Sequence, residues 1–100
     1  MNENINAILI SELDNVVVAI EHIKKGDEVL YKDFNDEMKS IISLDNTKIY
    51  HKIARVDIKK EEPVIKYGEH IGFATRDIRA GEHVHNHNIE GRREDLEAIE

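Results

Sequence analysis

The chain has 100 residues, of which 35% are charged, with a formal net charge of −7 and no cysteine. This length fits one domain with a modest core. The acidic balance argues against nucleic acid as a partner, since phosphate-tracking surfaces depend on Lys and Arg. Without cysteine there is no disulfide framework and no thiolate ligand or nucleophile. No apolar run approaches the length of a membrane span and no signal pattern is seen, so we expect a cytoplasmic protein with no membrane partner.

Short β-branched runs separated by turn residues predict a mainly β domain. The first predicted strands are residues 7–10 and 16–20. Residues 31–50 allow two interpretations. Phe34, Met38 and Ile41 lie at helical spacing, but the β character of the flanking segments favours a loop followed by a strand at residues 41–44. The remaining predicted strands are residues 49–56, 64–68 and 71–74.

One pattern occurs three times, at residues 19–29, 54–64 and 74–84, which we call the first, second and third repeats. Each has Ala, Ile and Val at its first, fifth and eleventh positions, with a turn between the Ile and the Val. The unequal intervals between the repeats argue against a solenoid and favour one reused strand-turn-strand module. Gly26 and Gly81 would supply a left-handed turn conformation. Glu61, at the same position, must accept that conformation or use another turn type.

Histidine is the side chain in this sequence most suited to site chemistry. His83, His85 and His87 alternate with Val84 and Asn86. On a strand, residues two apart share a face, so the three imidazoles would project together while Val84 faces the core. Such a face suits a divalent metal or an anionic substrate. The alternative is a solvated polar face that happens to be rich in histidine.

Two further residue pairs are candidates for ligand contact. His51 and Lys52 would suit a carboxylate clamp or an acid–base pair, and the alternative is a surface lysine near a strand end. Tyr67 and Gly68 lie at the end of a predicted strand, before a turn, where glycine would let the backbone approach a ligand. An ordinary hairpin would carry the same two residues, so this pattern alone does not decide between a site and a turn.

Taken together, these motifs resemble the SAF-type domain of the altronate/galactarate dehydratase family, and equally the alpha subunit of sulfolactate sulfo-lyase. The resemblance covers roughly residues 14–90, and its most specific parts are residues 81–88 and 66–68. The sequence departs from the family at Tyr50 and Glu61, where the family usually has glycine.

The resemblance implies a compact β-clip fold of short bent strands, with one or two short helical turns, over residues 1–90, followed by an acidic tail over residues 91–100. It implies a small subunit of a hydro-lyase that acts with a large dehydratase subunit. The reaction would convert a sugar acid such as altronate or galactarate into a 2-keto-3-deoxy acid. The alternatives are a sulfolactate sulfo-lyase alpha subunit or a non-catalytic SAF binding module. Homo-oligomerisation is left open.

The resemblance also implies roles for individual residues and a cofactor. The catalytic residues would be His85, His51 and Lys52, with His85 the first choice for acid–base or substrate contact. The substrate-binding residues would be Tyr67, Gly68, His87 and Asn88. The metal ligands would be His83, His85 and His87. The metal would be a divalent ion, iron(II) or manganese(II), held by this chain or mainly by the partner subunit, and it would stabilise developing enediolate charge.

Overall fold

The computed structural model describes residues 5–91, which form nine short strands and contain no helix. The strands are β1 (Ala7–Ile8), β2 (Val16–Ala19), β3 (Glu28–Lys32), β4 (Met38–Ile42), β5 (Lys52–Ala54), β6 (Pro63–Lys66), β7 (Glu69–Ala74), β8 (His83–Val84) and β9 (Ile89–Glu90). The mainly β fold is therefore confirmed, whereas the short helical turns are absent from the described residues. None of these residues forms a helix that could cross a membrane. The predicted acidic tail lies outside the described residues, apart from Gly91.

The strands form three antiparallel sheets, with strand orders β1-β2-β5-β8, β3-β4 and β6-β7-β9. The four-stranded sheet is central because its residues enter two separate cores. In β2, Val17 packs into one apolar cluster and Val16 into the other. In β5, Ile53 packs into the same cluster as Val17, and Ala54 packs into the same cluster as Val16. This alternation is the period of two expected of a strand that is buried on both faces.

Two segments differ from the sequence prediction. The helical alternative for residues 31–50 is wrong: β3 and β4 pair as a hairpin, and β4 begins earlier than the predicted strand. Asp33 sets the connecting turn, because its carboxylate accepts hydrogen bonds from the N–H groups of Asn35 and Glu37, both at 2.9 Å. The strand predicted at residues 49–56 is shorter, since Ile49 and Tyr50 belong to a turn before β5.

The three repeats fold as the same module. Their nine Ala, Ile and Val side chains are all at most 1% exposed, so the repeated apolar positions define the core. The eighth position is left-handed in every repeat, with φ of +92° at Gly26, +78° at Glu61 and +99° at Gly81. Glu61 therefore accepts the conformation that glycine adopts without steric cost.

The structure contains a fourth copy of the module at residues 43–53, which we call the hidden repeat. Ser43, Thr47 and Ile53 are buried at the positions of the Ala, Ile and Val. Tyr50 has a φ of +73° at the position of the turn glycine. The copy is hard to see in the sequence because polar Ser and Thr replace two of the three apolar residues that mark the others.

The four copies are arranged as two pairs with the same hydrogen bonds. In the regular pair, formed by the second and third repeats, the N–H and C=O groups of Ile58 and Ile78 bond reciprocally at 2.8 and 2.7 Å. In the irregular pair, formed by the first and hidden repeats, Ile23 and Thr47 do the same at 2.9 and 2.7 Å. The fold is thus built from one pairing scheme used twice.

Candidate functional site

Four histidines lie together where β5 and β8 meet. They are His51, His83, His85 and His87. His51 directly precedes β5, and the antiparallel register of β5 and β8, continued by one residue, places it opposite His85. The ring centroids of His51 and His85 are 4.4 Å apart, and those of His51 and His83 are 5.1 Å apart. The cluster therefore joins the hidden repeat to the end of the third repeat.

The three alternating histidines come together, although not by strand alternation. The strand β8 ends at Val84, and residues 85–88 form a turn in which Asn88 N–H donates to the carbonyl of His85 at 3.1 Å. The ring centroid of His83 nevertheless lies 5.6 Å from that of His85 and 5.2 Å from that of His87. Val84 is fully buried, as the repeat predicts.

Three of the histidines form a group that could hold a metal ion. Ligand atoms of His51, His83 and His85 all lie within 4.8 Å of one another. The Nδ1 atom of His51 is 2.9 Å from Nε2 of His83, and Nδ1 of His85 is buried without a hydrogen-bond partner. Converging ring nitrogens, one of them buried without a hydrogen-bond partner, fit an imidazole-binding divalent ion. The ligand set expected from the sequence is His83, His85 and His87. The group in the structure contains His51 in place of His87, which is exposed.

The environment favours neutral imidazoles. Desolvation lowers the pKa of His83 to about 4, and the neighbouring His87, His51 and His85 act in the same direction. The pKa of His85 is also lowered, first by desolvation and then by the charges of His51 and Lys52. The neutral form is the one that binds metal or accepts a proton, so these rings are ready for either role at neutral pH.

Two polar side chains, one of them fully buried, hold the histidine backbone in place. Asn88 is fully buried, and its Oδ1 accepts from the N–H of His85 at 3.0 Å while its Nδ2 donates to the carbonyl of His83 at 2.9 Å. Asp45 Oδ2 accepts from the N–H of His83 at 3.0 Å. Asn88, which is expected from the sequence to bind substrate, is enclosed here and positions the backbone of the two histidines.

Lys52 lies beside the cluster at the start of β5 and is partly buried. Desolvation lowers the pKa of its ammonium group, and the positive charge of Lys66 lowers it further. Within residues 5–91 no carboxylate forms an ion pair with Lys52. An amine with a lowered pKa and no anionic partner is suited to proton transfer or to binding an anion.

Tyr67 and Gly68 form the turn between β6 and β7, both with positive φ. The buried carboxylate of Asp14 accepts hydrogen bonds from their two N–H groups, at 3.0 Å and 2.8 Å. The ring of Tyr67 is 62% exposed and its centroid lies 5.0 Å from the Lys66 ammonium nitrogen. In the described part of the chain no histidine ring contacts Tyr67, so the structure does not bring this pair into the cluster.

The place of His51 in the module explains why sequence reasoning did not group it with the other ligands. In the first three repeats the ninth residue is acidic, and its carboxylate accepts a hydrogen bond from the N–H of the sixth residue. These ninth residues are Asp27, Glu62 and Glu82. His51 occupies the ninth position of the hidden repeat, and its side chain turns to the other histidines instead. Alignment of residues 43–53 with the repeats would have shown the exception.

A cleft of about 310 Å³ opens elsewhere on the surface. Its lining residues are Leu9, Glu12, Leu13, Asp33, Phe34, Asn35 and Arg55. None of the residues expected to act in catalysis, substrate binding or metal binding lines it. The histidine cluster is therefore the candidate site that both the sequence motifs and the convergent geometry favour.

The family match, on a domain whose described residues form only strands, defines the chain as a SAF-type domain. Residues 5–92 match the altronate/galactarate dehydratase SAF domain, so the chain belongs to that family, as its motifs predicted. It is 38% identical over 90 residues to altronate dehydratase of Bacillus subtilis (strain 168) and 40% identical over 90 residues to that of Escherichia coli (strain K12). Each match covers 90% of this chain but only 17% of the dehydratase.

The chain is also similar to a subunit of a second lyase. Over 45 residues it is 49% identical to the (2R)-sulfolactate sulfo-lyase subunit alpha of Chromohalobacter salexigens, covering 45% of this chain and 48% of that subunit. The relatives are thus named as dehydratases and lyases. The part that they share with this chain is a small portion of the dehydratase or about half of the lyase subunit.

Proposed function

We propose that this chain is the small subunit of a hydro-lyase that dehydrates a sugar acid such as altronate or galactarate to a 2-keto-3-deoxy acid. It would act with a separate large dehydratase subunit. The observation that carries the proposal is the group formed by His51, His83 and His85 in a chain of this family. The histidines are only partly buried among residues 5–91, so further polypeptide, which we assign to the large subunit, would enclose the substrate.

Dehydration of a 2,3-dihydroxy acid requires a base at the carbon next to the carboxylate and an acid at the departing hydroxyl. The electron pair of the broken C–H bond forms the new C=C bond, and the hydroxyl leaves as water once protonated. The resulting enol then loses its O–H proton and takes up a proton at carbon 3 to give the 2-keto-3-deoxy acid. We assign Lys52 as the base, because its lowered pKa increases the neutral fraction of the amine. His85 and His51 remain the alternative acid–base pair.

We assign the divalent ion, iron(II) or manganese(II), to His51, His83 and His85. When bound there it would supply electrostatic stabilisation of the enediolate charge. The neutral state of the rings supports this assignment, since metal binding does not have to displace protons from His83 or His85 at neutral pH. The exposed His87 is left free to contact substrate, and the large subunit could supply further ligands.

The substrate carboxylate would meet the positive charge of Lys66, next to the base Lys52. Lys66 is close enough to Lys52 to lower the pKa of Lys52, and it forms no ion pair with a carboxylate among residues 5–91. Tyr67 and Gly68, next to Lys66, then belong to the outer part of the substrate site. Their place in the site depends on the large subunit bringing substrate across this face.

The second candidate is a sulfolactate sulfo-lyase alpha subunit, which the 49% identity to such a subunit favours. The same base would remove a proton next to a carboxylate, but the leaving group would be sulfite. The third candidate is a SAF module that binds a carboxylate without catalysis. The unpaired Nδ1 of His85 favours the metal-binding candidates over this one.

Co-expression with a large dehydratase subunit from the same organism tests the proposal. Altronate, galactarate and (2R)-sulfolactate would each be supplied with iron(II), with manganese(II) or with EDTA. We expect a 2-keto acid from a sugar acid, in a metal-dependent reaction that neither subunit performs alone. Sulfite release from sulfolactate would favour the second candidate. Binding without any product would leave the non-catalytic module.

A further inference from the structure

We infer that the turn formed by residues 48–51 is the docking element through which this chain holds the catalytic polypeptide of the dehydratase. The inference rests on the proposed function, because the partner is the large subunit named there. The four copies of the module provide four equivalent turns in one molecule. Comparison among them shows that this turn alone lacks the features that stabilise a turn in isolation.

The backbone of the turn matches its counterparts. His51 N–H donates to the carbonyl of Lys48 at 3.0 Å, and the corresponding bond is 2.9 Å in the first and second repeats and 3.0 Å in the third. Tyr50 N–H donates across the pair to the carbonyl of Ala19 at 2.7 Å, as Gly81 N–H does to the carbonyl of Ala54 at 2.8 Å. Differences among the turns therefore come from side chains.

The first difference is a missing cap within the turn. The N–H of Lys59 donates to the Glu62 carboxylate at 2.8 Å, and the first and third repeats have the same bond. Lys48, at this position of the hidden repeat, has no such acceptor, because the ninth residue is His51. The imidazole of His51 is engaged with that of His83 instead.

The second difference is a missing cap across the pair. In the regular pair, Asp77 accepts from the N–H of Lys60 at 2.8 Å and Asp57 accepts from the N–H of Ala80 at 2.9 Å. In the irregular pair, Asn46 caps the first repeat's turn at 2.9 Å. The residue of the first repeat that corresponds to Asn46 is His22, and the N–H group that it could cap is that of Ile49. His22 is exposed and makes no such bond within the described residues.

The third difference is an apolar tip. Ile49 is 43% exposed and Tyr50 is 71% exposed. The other turns have small or charged residues at these two positions. They are Lys25 and Gly26, Lys60 and Glu61, and Ala80 and Gly81. Tyr50 also holds a φ of +73°, which a tyrosine adopts at a cost that glycine avoids. An aromatic side chain kept there at such a cost is typical of an interface anchor.

The location of the turn identifies the occupant. The tip directly precedes His51 in the chain, so a polypeptide that packs on Ile49 and Tyr50 would lie next to the histidine group. The dehydratase relatives extend far beyond the matched segment, which is 17% of their length. A catalytic polypeptide of that kind would both bury the apolar tip and exclude water from the site.

The test uses the full chain, the large dehydratase subunit from the same organism, and a direct measurement of their dissociation constant. Two substitutions make the tip resemble the other turns: Tyr50→Gly, which also suits the positive φ, and Ile49→Lys. We expect each to weaken the complex at least tenfold. The matched controls are Glu61→Gly and Lys60→Ala at the equivalent positions of the second repeat, which should change it less than twofold. Circular dichroism and cobalt(II) binding verify that each variant is folded with its histidine group intact.

The possible outcomes distinguish the docking inference from the proposed function. Wild-type affinity in both Tyr50→Gly and Ile49→Lys, in a complex that does form, would overturn the docking inference and leave the proposed function standing. Failure of the unaltered chain to bind the large subunit would overturn both. Self-association of the isolated chain that Tyr50→Gly abolishes would assign the turn to a second copy and would also overturn the inference.

Discussion

The regular and irregular pairs have the same backbone hydrogen bonds but differ in the side chains that cap and pack their turns. In the regular pair each turn has its carboxylate caps, and the buried fifth positions are Ile58 and Ile78. In the irregular pair the hidden repeat has Thr47 at the fifth position and His51 at the ninth. The histidine group forms where the pattern is broken. A repeated module can therefore gain a site when one copy replaces its core and capping residues, while the other copies retain them and stabilise the fold.

The largest expected effect concerns the contact between the two pairs. A Cβ added at Gly81 would overlap the carbonyl oxygen of Ile42, whereas one at Gly26 would meet nothing within 4 Å. Both glycines have positive φ, so each Ala substitution costs about 1 kcal/mol from conformation alone. We expect Gly81→Ala to lose roughly 4 kcal/mol of unfolding free energy because of the added overlap, and Gly26→Ala about 1 kcal/mol. Urea unfolding measures both, and equal losses would contradict the packing.

The next effect concerns the ninth position of the module, where the first three repeats have a capping carboxylate and the hidden repeat has His51. We expect His51→Glu to weaken cobalt(II) binding about 100-fold by removing one of three ligands. The new carboxylate should accept from the free N–H of Lys48 and add about 0.5–1 kcal/mol to the unfolding free energy.

The matched reverse change is Glu62→His in the regular pair, which should lower the unfolding free energy by a similar amount and leave cobalt(II) binding unaltered. Absorbance titration and urea unfolding measure the two quantities. Unchanged cobalt(II) affinity in His51→Glu would remove His51 from the ligand group.

A third effect compares the buried fifth positions. Thr47 is fully buried and its Oγ1 has no hydrogen-bond partner. We expect Thr47→Val to raise the unfolding free energy by about 1 kcal/mol, since it removes an unsatisfied hydroxyl and keeps the shape. The opposite change, Ile58→Thr, should cost about 2 kcal/mol. Thermal and urea unfolding measure both, and a loss of stability in Thr47→Val would show that the hydroxyl is satisfied.

The smallest effect is on the pH dependence of stability without metal. The pKa of His83 is lowered to about 4 in the folded chain, from 6.5, so between these values the unfolded chain binds more protons. Stability is therefore full above pH 6.5 and declines as the pH falls towards 4. Allowing for partial exposure, we expect about 1 kcal/mol to be lost between pH 7 and 5.

Urea unfolding in EDTA at several pH values measures this slope. His83→Gln should flatten most of it, whereas His22→Gln, at an exposed histidine outside the cluster, should leave it in place. A slope that survives His83→Gln unchanged would assign the dependence to other groups.

The sequence allowed the apolar framework of the fold to be predicted. The repeated Ala, Ile and Val positions report burial directly, and Val29, Val64 and Val84 are each fully buried. The left-handed turns at Gly26 and Gly81 could also be predicted. The hairpin of β3 and β4 could not be predicted with the same certainty. Its turn depends on hydrogen bonds to the Asp33 side chain, and the spacing of Phe34 and Met38 mimics that of a helix.

The candidate site could be predicted only in part. The histidines of residues 83–87 were visible as a motif, but their partner His51 is brought to them by the pairing of β5 with β8, which no local pattern specifies. Similarly, the burial of Asn88 depends on a turn that ends the strand one residue after His83. Long-range register therefore decided which imidazoles meet.

The shared strands β2 and β5 have a consequence for how the molecule comes apart. Since neighbouring residues of each strand anchor opposite cores, pulling either strand out of register disturbs both apolar clusters at once. Because both cores share β2 and β5, the domain should melt in a single cooperative step rather than half by half. Amide protons of Val16 and Val17 would then exchange with deuterium through the same global opening, whichever core they face.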